Sequence, residues 1–108
     1  MKLDKNLEKV VKEIADTISP VKIYLYGDIV KEDEDSDKYS LCVLLHDKDQ
    51  RKEEDILKVE ALFETSDRAQ ELIILDLSEF YERAKMACNS VWEVVTDGVV
   101  VHNCDHCK

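Results

Sequence analysis

The chain has 108 residues and a formal net charge of −10, from 25 acidic against 15 basic residues, with 44% hydrophobic and 37% charged side chains. This balance suits one compact globular domain and excludes a disordered tail. It also argues against direct nucleic-acid binding, which needs Lys and Arg to displace counterions from phosphates.

The first segment carries apolar residues at Leu3, Leu7, Val10, Val11, Ile14 and Ile18, the three-and-four spacing of an amphipathic helix. Ser19-Pro20 ends it, because the residue before proline is pushed out of the helical region. VKIYLY then reads as a buried strand stopping at Gly27, an acidic loop follows, and YSLCVLLH is a second strand. A charged connection leads into a helix over roughly 53–64, with Ile56, Val59, Leu62 and Phe63 on one side. ELIILDL is a third strand, too apolar to be an exposed edge. From Ser78, a plausible N-cap, the pattern is helical again, with Phe80, Ala84, Ala87, Val91, Trp92 and Val95 available to a core. Gly98 stops that helix and is expected in the left-handed conformation favoured beyond helix ends, before a last short strand, VVVH. The order α-β-β-α-β-α-β predicts an α+β fold, a helix-flanked mixed sheet of three or four strands. One domain over 1–102 and a polar Cys/His tail over 103–108 account for the chain.

No apolar run is long enough for a membrane span, and MKLDKNLEKVVKEI lacks the apolar block of a signal peptide, so a cytoplasmic location is expected. The charge suits a solvated acidic surface, a basic protein partner, or a site that recruits divalent cations.

The stretch IYLYGDIVKEDEDSDKYSLCVLL has the parts of a nucleotide-transfer site. Such a site needs a tight glycine turn that lets phosphates approach. It also needs carboxylates at alternate positions of one strand, and a third from a neighbouring strand, to clamp Mg²⁺. Five acids lie between Glu32 and Asp37. The plain alternative is an acidic β-β connection in which Asp37 is a turn or strand-entry residue.

These segments resemble the minimal nucleotidyltransferases, small relatives of DNA polymerase beta, and within them the MntA-like antitoxin subgroup that partners HEPN-domain proteins. KIYLYGD matches the family's strand ending in Gly-Ser, and DSDKYSLCVLL matches its Ser-Asp-x-Asp strand opening. ELIILDLSEF and VWEVVTDGVVVH look like its third strand and its helix-turn-strand ending, so the resemblance runs from about Leu3 to His102. It implies nucleotide-binding roles for Gly27, Asp28 and Ser36, and Mg²⁺ and ATP as cofactors if the site is active. Asp37 fits the first metal-binding acid. However, Asp28 replaces the phosphate-binding serine, the second acid falls on Tyr39, and the third falls on Ile73, with Glu71 and Asp76 to either side. A tyrosine cannot replace a carboxylate in a hard-cation site.

Outside this region, His102, Cys104, His106 and Cys107 form a local Zn²⁺ half-site candidate, though strong zinc signals pair ligands that bracket folded structure. Cys42 and Cys88 read as small core residues, and His46 as a solvated loop residue. Lys22 and Lys31 flank the glycine turn amid many acids and read as a solvated face. Trp92 and Phe80 are expected in the core, or, if left outside, as a partner anchor.

Three functions follow as expectations. The first is a non-catalytic protein of nucleotidyltransferase fold that binds a basic HEPN-type toxin as its antitoxin. The second is an active Mg-dependent enzyme moving AMP from ATP to a protein hydroxyl, with Asp28, Asp37 and Glu71 or Asp76 as ligands. The third is a homo-oligomeric structural protein stabilised by metal at the tail.

Overall fold

The computed structural model describes residues 5–31, 38–47, 52–65, 68–85 and 90–103. Ser36, Asp37, Ala87, Cys88, Cys104, His106 and Cys107, singled out above, lie outside these ranges, as does Leu3.

Helix α1 (Lys5–Ile18) buries all five of its periodic apolar residues, Leu7, Val10, Val11, Ile14 and Ile18. It stops where the sequence predicts. Ser19 takes a positive φ of 49°, and its N–H donates to the Ala15 carbonyl at 2.9 Å, before Pro20 blocks continuation. Strand β1 (Lys22–Tyr26) and strand β2 (Tyr39–Leu45) pair antiparallel, with Tyr26 opposite Ser40. Between them lie Gly27 and one turn of 3₁₀ helix, Asp28–Val30. Helix α2 (Glu53–Glu64) is the crossover to strand β3 (Ala69–Asp76), which runs parallel to β2. Strand β4 (Val99–Asn103) pairs antiparallel with β1, giving the mixed sheet β3-β2-β1-β4.

Two helix pairs cover this sheet. Successive strand residues point to opposite faces, so each strand divides its side chains between two cores. Leu7, Ile14, Ile23, Leu25, Tyr39, Leu41, Val43, Leu45, Val59 and Phe63 form one core under α1 and α2. Tyr26, Cys42, Leu44, Leu75, Phe80, Val91 and Val94 form the other, under helices α3 (Leu77–Ala84) and α4 (Ser90–Asp97). β2 is buried along its whole length, which is why YSLCVLL shows no polar-out alternation.

The second half of the chain departs from the expected pattern in several places. The single long helix after β3 is two helices, α3 and α4. Its N-cap is Asp76 rather than Ser78: the Asp76 carboxylate accepts from the Glu79 N–H at 2.9 Å, and the Asp76 N–H donates to the Glu79 carboxylate at 3.3 Å. This reciprocal capping box lets α3 begin immediately after the strand. Trp92 and Val95 are 46% and 53% exposed, because α4 turns only Val91 and Val94 inward. Gly98 does not have a positive φ; it is required because a Cβ there would lie 2.4 Å from the Val94 carbonyl oxygen. β3, expected to be too apolar for an edge, is an outer strand of the described sheet, its aliphatic residues half-buried by the flanking helices, and β4 runs one residue further than expected, to Asn103.

Tyr39 packs edge-on against Phe63 with ring centroids 5.7 Å apart, and its buried hydroxyl has no hydrogen-bond partner among the described residues. Removing that oxygen removes a desolvated polar group without opening a large cavity. We therefore expect Tyr39→Phe to be neutral or stabilising by up to about 1 kcal/mol, whereas Ile14→Ala should cost about 2–5 kcal/mol. Urea unfolding of both variants checks this.

Candidate functional site

Where β1 ends, Gly27 has φ 99° and ψ −161°, a conformation open almost exclusively to glycine. A Cβ there would meet the Gln70 side-chain oxygen at 3.0 Å and the Ser40 hydroxyl at 3.2 Å. Both the torsion and the space demand glycine, and together they bring the Gly27 backbone against the start of β2 and β3. The turn closes on itself through Val30 N–H to the Gly27 carbonyl (3.2 Å) and Lys31 N–H to the Asp28 carbonyl (3.0 Å). Ile29 N–H donates to the Lys38 carbonyl at 2.9 Å, tying the two ends of the acidic loop together.

The turn opens onto a shallow cavity of about 400 Å³ lined by Tyr26, Gly27, Asp28, Lys31, Ser40, Gln70, Glu71 and Glu93. The ends of β1, β2 and β3, the glycine turn and α4 meet there on the α3/α4 side of the sheet. The Tyr26 hydroxyl donates to the Glu71 carboxylate at 2.5 Å. Gln70 donates its amide to Asp28 at 3.4 Å, and Lys31 pairs with Glu93 of α4 at 3.2 Å. Burial, reinforced by the Glu71 hydrogen bond and charge, drives the Tyr26 phenol well above its ordinary range, so it remains the proton donor of this pair. Deeper on the same face, burial and then the Glu71 charge push the Cys42 thiol up to about 12.

The register moves the expected ligand positions. Tyr39 points into the α1/α2 core and is fully buried, so the residue of β2 that faces the cavity is its neighbour Ser40. A slip of one residue exchanges faces. On β3, Ile73 pairs with Cys42 and packs in the α3/α4 core; the residue at the cavity is Glu71, two positions earlier. Asp76 sits five residues beyond Glu71, roughly 16 Å along the strand, beside Leu45 and committed to the cap of α3. The structure thus brings Gly27, Asp28 and Glu71 together and leaves Asp76 at the other end of the sheet. Ser40, Gln70, Tyr26 and Glu93 are site residues that the sequence reading missed. The alternation in YSLCVLL, with Ser40 and Cys42 on one face and Tyr39 and Leu41 on the other, is the signal that marks Ser40.

The described acids of this cavity are each engaged by a neighbour. Asp28 is engaged by an amide, Glu71 by a phenol and Glu93 by an ammonium, and the strand position between them is a neutral hydroxyl. A pair of hard cations needs bridging carboxylates. Among the described residues no group of three or more His, Cys, Asp and Glu side chains is placed to hold a metal ion. His102 lies half-buried in β4; Cys42 is a buried core thiol, and His46 is exposed just after β2. Among the described residues no helix is long and apolar enough to cross a membrane.

Comparison with solved structures places this architecture. The chain superposes on a candidate nucleotidyltransferase from Sulfolobus solfataricus with a TM-score of 0.60 at 17% identity, over 92% of this chain and 78% of that one. The fold is therefore nucleotidyltransferase-like, with four helices around a four-stranded mixed sheet. No protein-family model matches the sequence, and no curated protein is significantly similar to it.

Two outcomes test this geometry. Gly27→Ala should destabilise by about 2 kcal/mol or more, since the backbone torsion and the crowding at Ser40 both oppose a Cβ; thermal unfolding reads the loss. A thiol whose folded pKa is raised contributes stability that is complete below its unfolded pKa of 9.0 and is lost as pH climbs toward about 12. Stability should fall by up to about 1.4 kcal/mol per pH unit across that window. Cys42→Ala should flatten the slope, as measured by urea titrations from neutral to alkaline pH.

Proposed function

We propose that this chain keeps a nucleotidyltransferase-like fold without metal-dependent nucleotide transfer, and acts by binding a protein partner. The observation that carries this reading is Ser40. It is the residue of β2 that lines the cavity with Gly27 and Glu71, while Tyr39, on which the resemblance places the family's second acid, is buried in the other core. The described carboxylates of the cavity are held by Gln70, Tyr26 and Lys31. Asp28 beside the glycine would repel a phosphate that a serine would bind.

By resemblance, the partner is a basic HEPN-type protein and the role that of its antitoxin. A net charge of −10 supports such a pairing, because it speeds encounter with a basic surface and covers the face that RNA would use. A second reading, transfer of AMP from ATP to a protein hydroxyl, draws support from the Gly27 cradle and the acids around its cavity. Mg²⁺ would then enter with the nucleotide. The third reading, Zn²⁺ at His102, Cys104, His106 and Cys107, predicts stoichiometric metal in the purified protein.

Calorimetric titration with ATP in excess Mg²⁺ separates the first two. The non-catalytic reading expects no saturable heat and no rise in Tm at millimolar ATP. Saturable binding, weakened by Gly27→Ala, would overturn it.

A further inference from the structure

We propose that the hollow between the C-terminal end of α1 and the outer face of α2 docks a basic amphipathic helix of a protein partner. The proposal rests on the protein-binding reading above and gives it a location.

The first observation is an apolar surface where these two helices meet. A hollow of about 360 Å³ is lined by Thr17, Lys58, Ala61, Leu62 and Thr65. Both threonines turn their hydroxyls back on their own helices: Thr17 donates to the Glu13 carbonyl at 2.8 Å, and Thr65 to the Leu62 carbonyl at 2.7 Å. What they leave for the hollow is their methyl groups, beside Ala61 and Leu62. Leu57, one turn before Ala61 on α2, is 59% exposed. A single exposed leucine is ordinary, but one that continues an apolar hollow enlarges it into a surface that partner side chains can fill.

The second observation is the charge beside it. α2 carries five acids and one lysine over Glu53–Glu64. Glu53 and Glu54 stand in its first turn, where the helix dipole favours them. Glu60 and Glu64 have no such reason. They lie one turn apart in the second half of the helix, where the dipole and their mutual repulsion both disfavour them, and no basic residue stands in the last turn. Glu53, Glu60 and Glu64 are exposed at helical spacing from Leu57, so they flank it on one face. Among the described residues none of the three enters an ion pair or a side-chain hydrogen bond. A partner helix that lays leucine or isoleucine into the hollow carries its Lys and Arg over these carboxylates, the spacing of helix-in-groove recognition. Charge decides between occupants. A second copy of this chain also carries −10, and the apolar residues of its α1 are already buried, whereas a Lys- or Arg-bearing helix is attracted.

The probe is a labelled helix-forming peptide with leucines along one face and lysines along the other; its counterpart carries glutamates in place of the lysines. Fluorescence anisotropy should show saturable binding of the lysine peptide that weakens with salt, and none of the glutamate peptide. Amide shifts in an NMR titration should fall on Thr17 and on 57–65. Leu57→Ala and, separately, Ala61→Glu, both at exposed helix positions, should each weaken binding about tenfold. Glu60→Lys with Glu64→Lys should weaken it and flatten its salt dependence, while Trp92→Ala leaves it unchanged. Shifts confined to α3, α4 and β4, equal binding of the glutamate peptide, no saturation, or binding indifferent to Leu57→Ala and Ala61→Glu would overturn the proposal. So would a concentration-dependent dimer in sedimentation that Ala61→Glu abolishes, because a second copy would then occupy the hollow. The ATP titration is read separately: nucleotide binding with intact peptide docking sinks the non-catalytic reading alone, and absent docking without nucleotide binding sinks only the hollow.

Discussion

Burial of β2 on both faces is the constraint on which the rest of this structure depends. Every side chain from Tyr39 to Leu45 is out of water, so each face of the strand must be roofed by helices. α1 and α2 roof the face of Tyr39, Leu41, Val43 and Leu45; α3 and α4 roof the face of Ser40, Cys42 and Leu44. The chain reaches the first pair before and within the β2–β3 crossover. It builds the second pair only after β3, which is why the capping box at Asp76 matters: α3 must turn back over the sheet with no intervening loop. Stacking of Phe80 on Tyr24, with centroids 5.8 Å apart and rings nearly parallel, fixes α3 over β1.

The same two-sided burial sets the chemistry at the strand ends. At the start of β2 and β3 the α3/α4 face reaches solvent, and Gly27, Asp28, Ser40, Gln70 and Glu71 gather there. Polar groups in this corner satisfy one another in pairs, as partly desolvated groups must. Tyr26 is the instructive member: its ring belongs to the core and its hydroxyl to the site, so burial and the nearby carboxylate both keep its proton in place.

Much of the fold was legible because periodicity is local. The five buried positions of α1 follow directly from their spacing, and Ser19-Pro20 marks the end of that helix. The strands, their order and the α+β class follow from short apolar runs separated by helical patterns. The split of the last helical stretch into α3 and α4, and the exposure of Trp92 and Val95, were not legible. An apolar residue at helical spacing says that a face exists, not whether a neighbour covers it. Gly98 shows the same limit. Its place after a helix suggested a left-handed backbone, while the structure needs it for close approach of the Val94 carbonyl.

The sequence by itself determined the glycine turn, the acidic balance and the α+β order of elements, because these rest on residue type and spacing, and its motifs carried the nucleotidyltransferase resemblance. Only the tertiary structure decided which residues share the cavity. Side chains alternate faces at every strand position, so the packing of β2 puts Ser40 rather than Tyr39 at the site, and the pairing of β3 with β2 puts Glu71 there, two positions before Ile73. It likewise sends Asp76 to the far end of β3 as a helix cap. Register is set by the packing of two cores against one sheet, a sum of long-range contacts that no short motif contains.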